Sequence, residues 1–295
     1  MISYTQCPVC RSVDFHDFIS AKDHTVSGES FLIMKCNGCT LMFTQDIPSA
    51  ENIGCYYASE NYVSHSDTQE GVINKLYHII RKKTLNGKRR LLQKETGISS
   101  GKIADIGCGT GAFLNTMQQA GWNITGVEPD ELARKKAFSL YGINPHPSEE
   151  LTALPQKQFN AITLWHVLEH VHNLHGYISQ LKNMLAENGR LFIAVPNYTS
   201  HDAAHYGSFW AAYDVPRHLY HFSPLSMREL LTQHGLKVLK VQPMWYDSFY
   251  VSMLSENYKN GRGNIISAFL TGLVSNVMAV FNKEKCSSLI YIISK

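Results

Sequence analysis

The chain has 295 residues, enough for one large domain or for a domain with a small appendage. It is 44% apolar and 17% charged, which excludes global disorder and supplies a sizeable core. A formal charge of +3 is only mildly basic, so it permits a nucleic-acid partner without requiring one.

The first ten residues, MISYTQCPVC, lack the basic-then-apolar pattern of a secretory leader. A cytoplasmic protein with reduced cysteines is therefore expected. Two cysteine pairs, Cys7-x-x-Cys10 and Cys36-x-x-Cys39, stand on short knuckles (CPVC and CNGC) among strand-like runs. Four thiolates at this spacing complete a tetrahedron, and the metal replaces a core that so few residues cannot build. Residues 1–45 are thus predicted to form a zinc ribbon whose Zn2+ is structural. Neither pair opens a helix after a strand, which argues against a redox motif. Cys55, Cys108 and Cys286 have no partner at metal spacing and read as packing residues.

Residues 46–100 form a bridge, with an aromatic cluster at 55–65 and a helix predicted from about 70 to 96. Arg81, Lys82, Lys83, Lys88, Arg89, Arg90 and Lys94 stud that helix between apolar positions such as Leu85, Leu91 and Leu92. They make either a solvated face or a grip on phosphates. From residue 102 short strands alternate with helices: KIADI, NITGVE, FNAITLW, RLFIAVP, LKVLKVQPMWY and SSLIYIIS are the strands. The helix beginning at Leu174 is predicted to run to Gly189, and another begins after Ser223 as N-cap with Pro224 at its first position. This alternation implies a mainly parallel sheet covered on both faces. Residues 265–281 are mostly apolar but short for a bilayer span and carry a stripe of Ser267, Thr271 and Ser275. They read as a helix packed on the protein, with contact to a membrane surface as the alternative.

The sequence DIGCGTGA at 105–112 admits two ligands. Gly107-x-Gly109-x-x-Ala112 satisfies the dinucleotide fingerprint, while Asp105-x-Gly107-x-Gly109-x-Gly111 satisfies an S-adenosylmethionine loop. Glu128 follows the next strand and suits ribose hydroxyls in either case. A carboxylate at Asp105 is awkward beside a pyrophosphate and suits a ligand with an ammonium group. DIGCGTG, GVEPD, FNAITLWHVLEHV and ENGRLFIAVPN together resemble class I S-adenosylmethionine-dependent methyltransferases over most of residues 100–200. The resemblance implies a Rossmann-like α/β fold with a seven-stranded sheet, the last strand inserted antiparallel. It implies that Gly107, Gly109 and Gly111 approach the methionine part of S-adenosyl-L-methionine and that Asp105 anchors it. It also implies that Glu128 holds the ribose and that Trp165 and His166 line the cofactor. The catalytic domain would span 101–295.

No Asn/Asp-Pro-Pro-Tyr/Phe run and no Pro-Cys dipeptide is present, which disfavours amino-group and 5-methylcytosine chemistry. Residues 201–223 carry four histidines, three tyrosines and a tryptophan, and the segment 197–223 reads as a substrate lid. The cysteine module, the YY…Y bridge and the core also resemble sugar C-methyltransferases acting on nucleotide-linked ketosugars. Those proteins carry Glu-His-x-x-Tyr-Phe-Ser; here the stretch is Arg217-His218-Leu219-Tyr220-His221-Phe222-Ser223, and their large carboxy-terminal domain has no counterpart. His218 is the expected general base, with His221 and His166 behind it. Arg217 is expected to hold an anion on the acceptor, with Tyr220 beside it. The acceptor is expected to be a small molecule such as an anionic sugar. RNA held by the ribbon and the basic helix, a cofactor-free interaction protein and a dinucleotide oxidoreductase are the alternatives.

Overall fold

The computed structural model describes residues 1–57, 72–261 and 263–295, the side chains of 72–80 excepted. The aromatic cluster beyond Tyr57 lies outside the described residues. The strands are β1 (Phe15–Lys22), β2 (Ser30–Cys36), β3 (Met42–Thr44), β4 (Lys102–Ile106), β5 (Asn123–Val127), β6 (Phe159–Trp165), β7 (Leu185–Pro196), β8 (Tyr220–His221), β9 (Lys237–Pro243) and β10 (Ser288–Ser294). The α-helices are α1 (Val72–Thr96), α2 (Ala112–Gln119), α3 (Glu131–Tyr141), α4 (Leu174–Met184), α5 (His201–Tyr206), α6 (Pro224–Gln233), α7 (Asp247–Asn260) and α8 (Ile265–Phe281). The chain divides into two compact units, one of residues 1–65, 168–175 and 194–291, the other of 66–167, 176–193 and 292–295.

The larger sheet has six strands in the order β5-β4-β6-β7-β10-β9, not seven. β4 pairs in parallel with both β5 and β6, and the last strand sits between β7 and β9. The seventh strand has shrunk to one parallel bridge, Val127 to His146. The sequence explains why. Pro145 and Pro147 flank His146, so only its own N–H can donate, and it does so to Gly126 O at 2.8 Å. In the second unit Ile103, Phe113, Met117, Trp122, Ala161 and Phe192 form a buried core. Asp130 caps α3 by accepting from Ala133 N at 2.6 Å, and Gly142 ends that helix in the left-handed conformation. Helix α4 stops at Met184, short of the predicted Gly189, because the next residues join β7. An added Cβ at Gly189 would lie 2.7 Å from Phe159 O, a close backbone approach that only strand packing explains.

In the first unit β1, β2, β3 and β8 make a four-stranded antiparallel sheet. The amino-terminal strands are therefore completed by Tyr220 and His221, far along the chain from the predicted boundary at 45. The segment 197–223, expected as a lid, packs against these strands. Tyr206, Trp210, Tyr213 and Val215 are buried with Phe31, Ile33 and Met42 as one core. Trp210 Nε1 donates to buried Asp202 at 2.8 Å. The aromatic rings of this segment are part of that packed interior. Among the described residues no helix is long and apolar enough to cross a membrane.

Candidate active site

At the end of β4 the chain turns with Gly107, Gly109 and Gly111 at φ 71°, 54° and 78°, a region that side chains enter only at a cost. A Cβ at Gly107 would stand 2.4 Å from Val167, whereas at Gly109 it would meet nothing within 4 Å. The loop is thus closed on one side and open at Gly109. Gly107 N and Cys108 N donate to Val127 O, at 2.7 and 3.1 Å, tying the turn to the end of β5. One Glu128 oxygen accepts from Gly109 N at 2.7 Å and the other from Asp130 N at 3.0 Å. Burial raises the Glu128 pKa, and these two donors oppose the rise.

Asp105 is 1% exposed. Thr163 Oγ1 donates to it at 2.5 Å. Burial pushes its carboxyl up to about 7, against the pull of the Thr163 hydrogen bond and the Lys88 charge. Lys88 Nζ lies 4.1 Å from the centre of the Trp165 ring, so this member of the basic helix faces inward. Trp165 also meets Phe113 edge-on, and its Nε1 is buried without a hydrogen-bond partner. His166 adopts φ 59°, unusual for a non-glycine residue. An open glycine cradle, an acid with its oxygens fixed by backbone donors, a desolvated carboxyl and an orphaned indole N–H fit S-adenosylmethionine. Its ammonium would compensate Asp105, and its ribose hydroxyls would meet Glu128.

The first unit gathers a second set. Glu169, His170 and His218 bring their ligand atoms within 4.8 Å of one another, a grouping that could also hold a metal ion. His218 Nδ1 is 2.9 Å from Ala212 O. A carbonyl only accepts, so Nδ1 carries a proton there, and in the neutral ring the lone pair falls on Nε2. Asp214 Oδ2 lies 3.9 Å from that Nε2. His170 Nδ1 is 3.0 Å from Arg217 O and from the Tyr57 hydroxyl. Burial, then the charge His218 carries when protonated, lower its pKa to about 4.

Two expected acceptor residues, Arg217 and Tyr220, and the catalytic candidate His221 are built into the interior. Arg217 is 1% exposed. It donates to Asp214 at 2.7 Å, Asp23 at 2.9 Å, Tyr56 O at 2.8 Å and the Thr25 hydroxyl, so its guanidinium has no face for an anionic substrate. Burial pushes the Asp23 pKa up, but Arg217 and the backbone donors of Ser27 and Thr25 outweigh it and hold the carboxyl well below its usual range. His221 lies 3.1 Å from Thr44 Oγ1, and Thr44 itself donates to His218 O, so the ring is a strut between β3 and β8. Burial drives its pKa far down. Tyr220 is buried, with its hydroxyl 3.2 Å from Tyr4 OH and from His172 O.

The cysteine knuckles repeat one another. Arg11 N bonds to Cys7 O and Thr40 N to Cys36 O, at 2.9 and 3.1 Å. Both residues, one past each pair, take positive φ, 61° and 62°. Cys7–Cys39 and Cys10–Cys36 sulfurs are each 3.5 Å apart. Four sulfurs around Zn2+ at 2.3 Å would stand about 3.8 Å apart, so small outward shifts suffice. The Cys7 hydrogen bond and burial raise the Cys39 pKa, a shift that a dication at the centre would reverse. The cluster is able to hold a metal.

Thr163, Asp214 and Asp23 were not singled out from the sequence, and Lys88 was read only as one basic residue of its helix. Asp214 could have been, since it precedes Arg217 and His218 by three and four residues. Thr163 and Lys88 carry no local signal; pairing of β4 with β6 and the facing of α1 reveal them.

A family model described as a methyltransferase domain matches residues 77–241, more than half of the chain. Ubiquinone biosynthesis O-methyltransferase of Actinobacillus pleuropneumoniae serotype 7 is 33% identical over 119 residues, covering 36% of this chain and 50% of that protein. Demethylmenaquinone methyltransferase of Tropheryma whipplei is 26% identical over 134 residues, covering 44% and 56%. The chain spans about half the length of the curated relatives it matches. A solved structure assigned as a sarcosine dimethylglycine methyltransferase from Galdieria sulphuraria gives a TM-score of 0.51 at 12% identity, over 75% of this chain and 87% of its own. At that identity the likeness concerns the fold alone. With the glycine cradle at the end of the first strand of its sheet and the matched region around it, the chain belongs to the methyltransferase-domain family, in the class I S-adenosylmethionine-dependent fold.

Proposed function

We propose that the protein transfers a methyl group from S-adenosylmethionine to an oxygen or activated carbon of a small-molecule acceptor, with His218 as general base. The observation that carries the reading is the open cradle at Gly109 with Glu128 held by its N–H. The bound cofactor supplies an electrophilic sulfonium methyl group. Asp105 would hold its ammonium and Glu128 its ribose, with Trp165 and His166 along its flank. His218 would take the acceptor's proton on Nε2, because Ala212 O fixes the proton of Nδ1. Asp214 would steady the imidazolium that results. Glu169 and His170 would set the polarity around it.

The acceptor class stays broader than an anionic sugar, since Arg217 is committed internally. Nucleotide-linked sugars are supported by the cysteine module and the stretch from His218 to Ser223. Relatives named for ubiquinone biosynthesis and for demethylmenaquinone support quinone-type acceptors. An RNA acceptor has less support, because Lys88 leaves the exposed face of α1. The test is transfer of labelled methyl from S-adenosylmethionine to a panel of nucleotide sugars, hydroxylated aromatics and RNA. Small-molecule labelling that His218→Gln lowers by about 10²- to 10⁴-fold, with S-adenosylhomocysteine affinity unchanged, is the expected result. Full turnover in His218→Gln would remove the base assignment, and labelling of RNA alone would replace the acceptor.

A further inference from the structure

Helix α8 is inside out. Its buried positions are Ala268, Thr271, Gly272, Ser275 and Ala279. Its outer positions are large and apolar: Ile266 is 73% exposed, Phe269 55%, Val277 48%, Val280 69% and Phe281 87%. The polar partners lie inside, where Ser275 Oγ donates to Asp202 at 2.7 Å and Ser267 Oγ to Glu256 at 2.5 Å. Helix α7 crosses so closely that a Cβ on Gly272 would stand 2.8 Å from the Phe249 ring. Small residues at a helix crossing with large apolar residues outside is the arrangement lipid contact selects. An exposed apolar face of this extent is not ordinary protein surface.

The surroundings identify what covers it. Residues 265–281 contain no charged side chain. Lys259 precedes the helix, Lys283 and Lys285 follow it, and all three are exposed. Of the nearby acids, Glu284 is neutralised by Arg228 at 2.5 Å, Glu256 is buried and Asp247 is half-buried. Trp245, Tyr246 and Tyr250 are exposed at the start of α7, the residue types that favour a headgroup boundary. Seventeen helical residues reach about 25 Å, less than a hydrocarbon core of about 30 Å. We propose that α8 lies flat on a bilayer bearing anionic phospholipids, its apolar face among the acyl chains and Lys259, Lys283 and Lys285 at the phosphates. The docking is independent of which acceptor is methylated.

Flotation of the full chain with phosphatidylglycerol-containing vesicles and with pure phosphatidylcholine vesicles tests it. The protein should float with the anionic vesicles and far less with the neutral ones. The triple variant Phe269→Gln, Leu273→Gln, Val277→Gln should stay at the bottom, while its circular dichroism and its affinity for S-adenosylhomocysteine match the parent. Lys259→Gln with Lys283→Gln should weaken partition roughly thirtyfold and flatten its dependence on salt. Failure to float with either vesicle overturns the proposal, and equal flotation with both overturns its anionic part. A concentration-dependent dimer in sedimentation velocity, dissolved by the triple variant and accompanied by no flotation, would assign the face to a second copy instead.

Discussion

Asp105 carries a pH signature. Its carboxyl titrates near 7 because burial disfavours the charge, yet an ammonium ligand requires the ionised form. Affinity for S-adenosylhomocysteine should therefore rise as pH increases through about 7 and fall up to about tenfold per unit below it. Calorimetry across that range should show the slope in the wild type and a flat, weaker profile in Asp105→Asn. Arg217 makes the opposite kind of prediction. Replacing it by Met leaves Asp23 and Asp214 facing each other without their cation, at a cost of about 3–5 kcal/mol. Urea unfolding should register that loss, and acceptor KM should not be its main effect. The two residues also mark what is legible from sequence. The place of Asp105 is readable because it is set by distance along the chain from Gly107. The partners of Arg217 are not readable, because a guanidinium in a histidine-rich stretch looks the same whether its carboxylates come from a substrate or from Asp23, which is far away in sequence.

The elements obey the same distinction. Strands and helices of the alternating region follow from local periodicity and caps, as at Asp130, Gly142 and Ser223. What local pattern does not carry is pairing over long separations. β8 is two residues long, and only its partnership with β3 makes it a strand. The missing seventh strand depends on two prolines whose effect is to remove donors. Because β8 adjoins His218, metal loss should reach beyond the knuckles. Chelation, or Cys36→Ser, is expected to lower the unfolding temperature by several degrees and to reduce turnover. Metal analysis of the purified protein should give one zinc per chain. Normal stability and turnover in a zinc-free preparation would remove the metal from the architecture.

For the whole molecule, the two compact units should respond to different ligands. At a hundredfold excess over Kd, S-adenosylhomocysteine stabilises what it binds by about 2.7 kcal/mol. Hydrogen exchange should slow mainly in β4, β5 and β6 on adding it. Chelation should instead accelerate exchange in β1, β2, β3 and β8. A uniform response to both treatments would mean that the chain opens as one cooperative body.

The pairing of β3 with β8 also bears on how the protein is made. On the ribosome, Cys7, Cys10, Cys36 and Cys39 emerge early, and Tyr220 and His221 follow only after the whole glycine-loop region has been translated. The nascent knuckles can capture an ion, but their sheet waits for a distant strand. Such late closure of a long loop slows folding. A nascent chain stalled before residue 220 should carry metal yet leave Phe43 open to solvent, its β8 partner not yet synthesised.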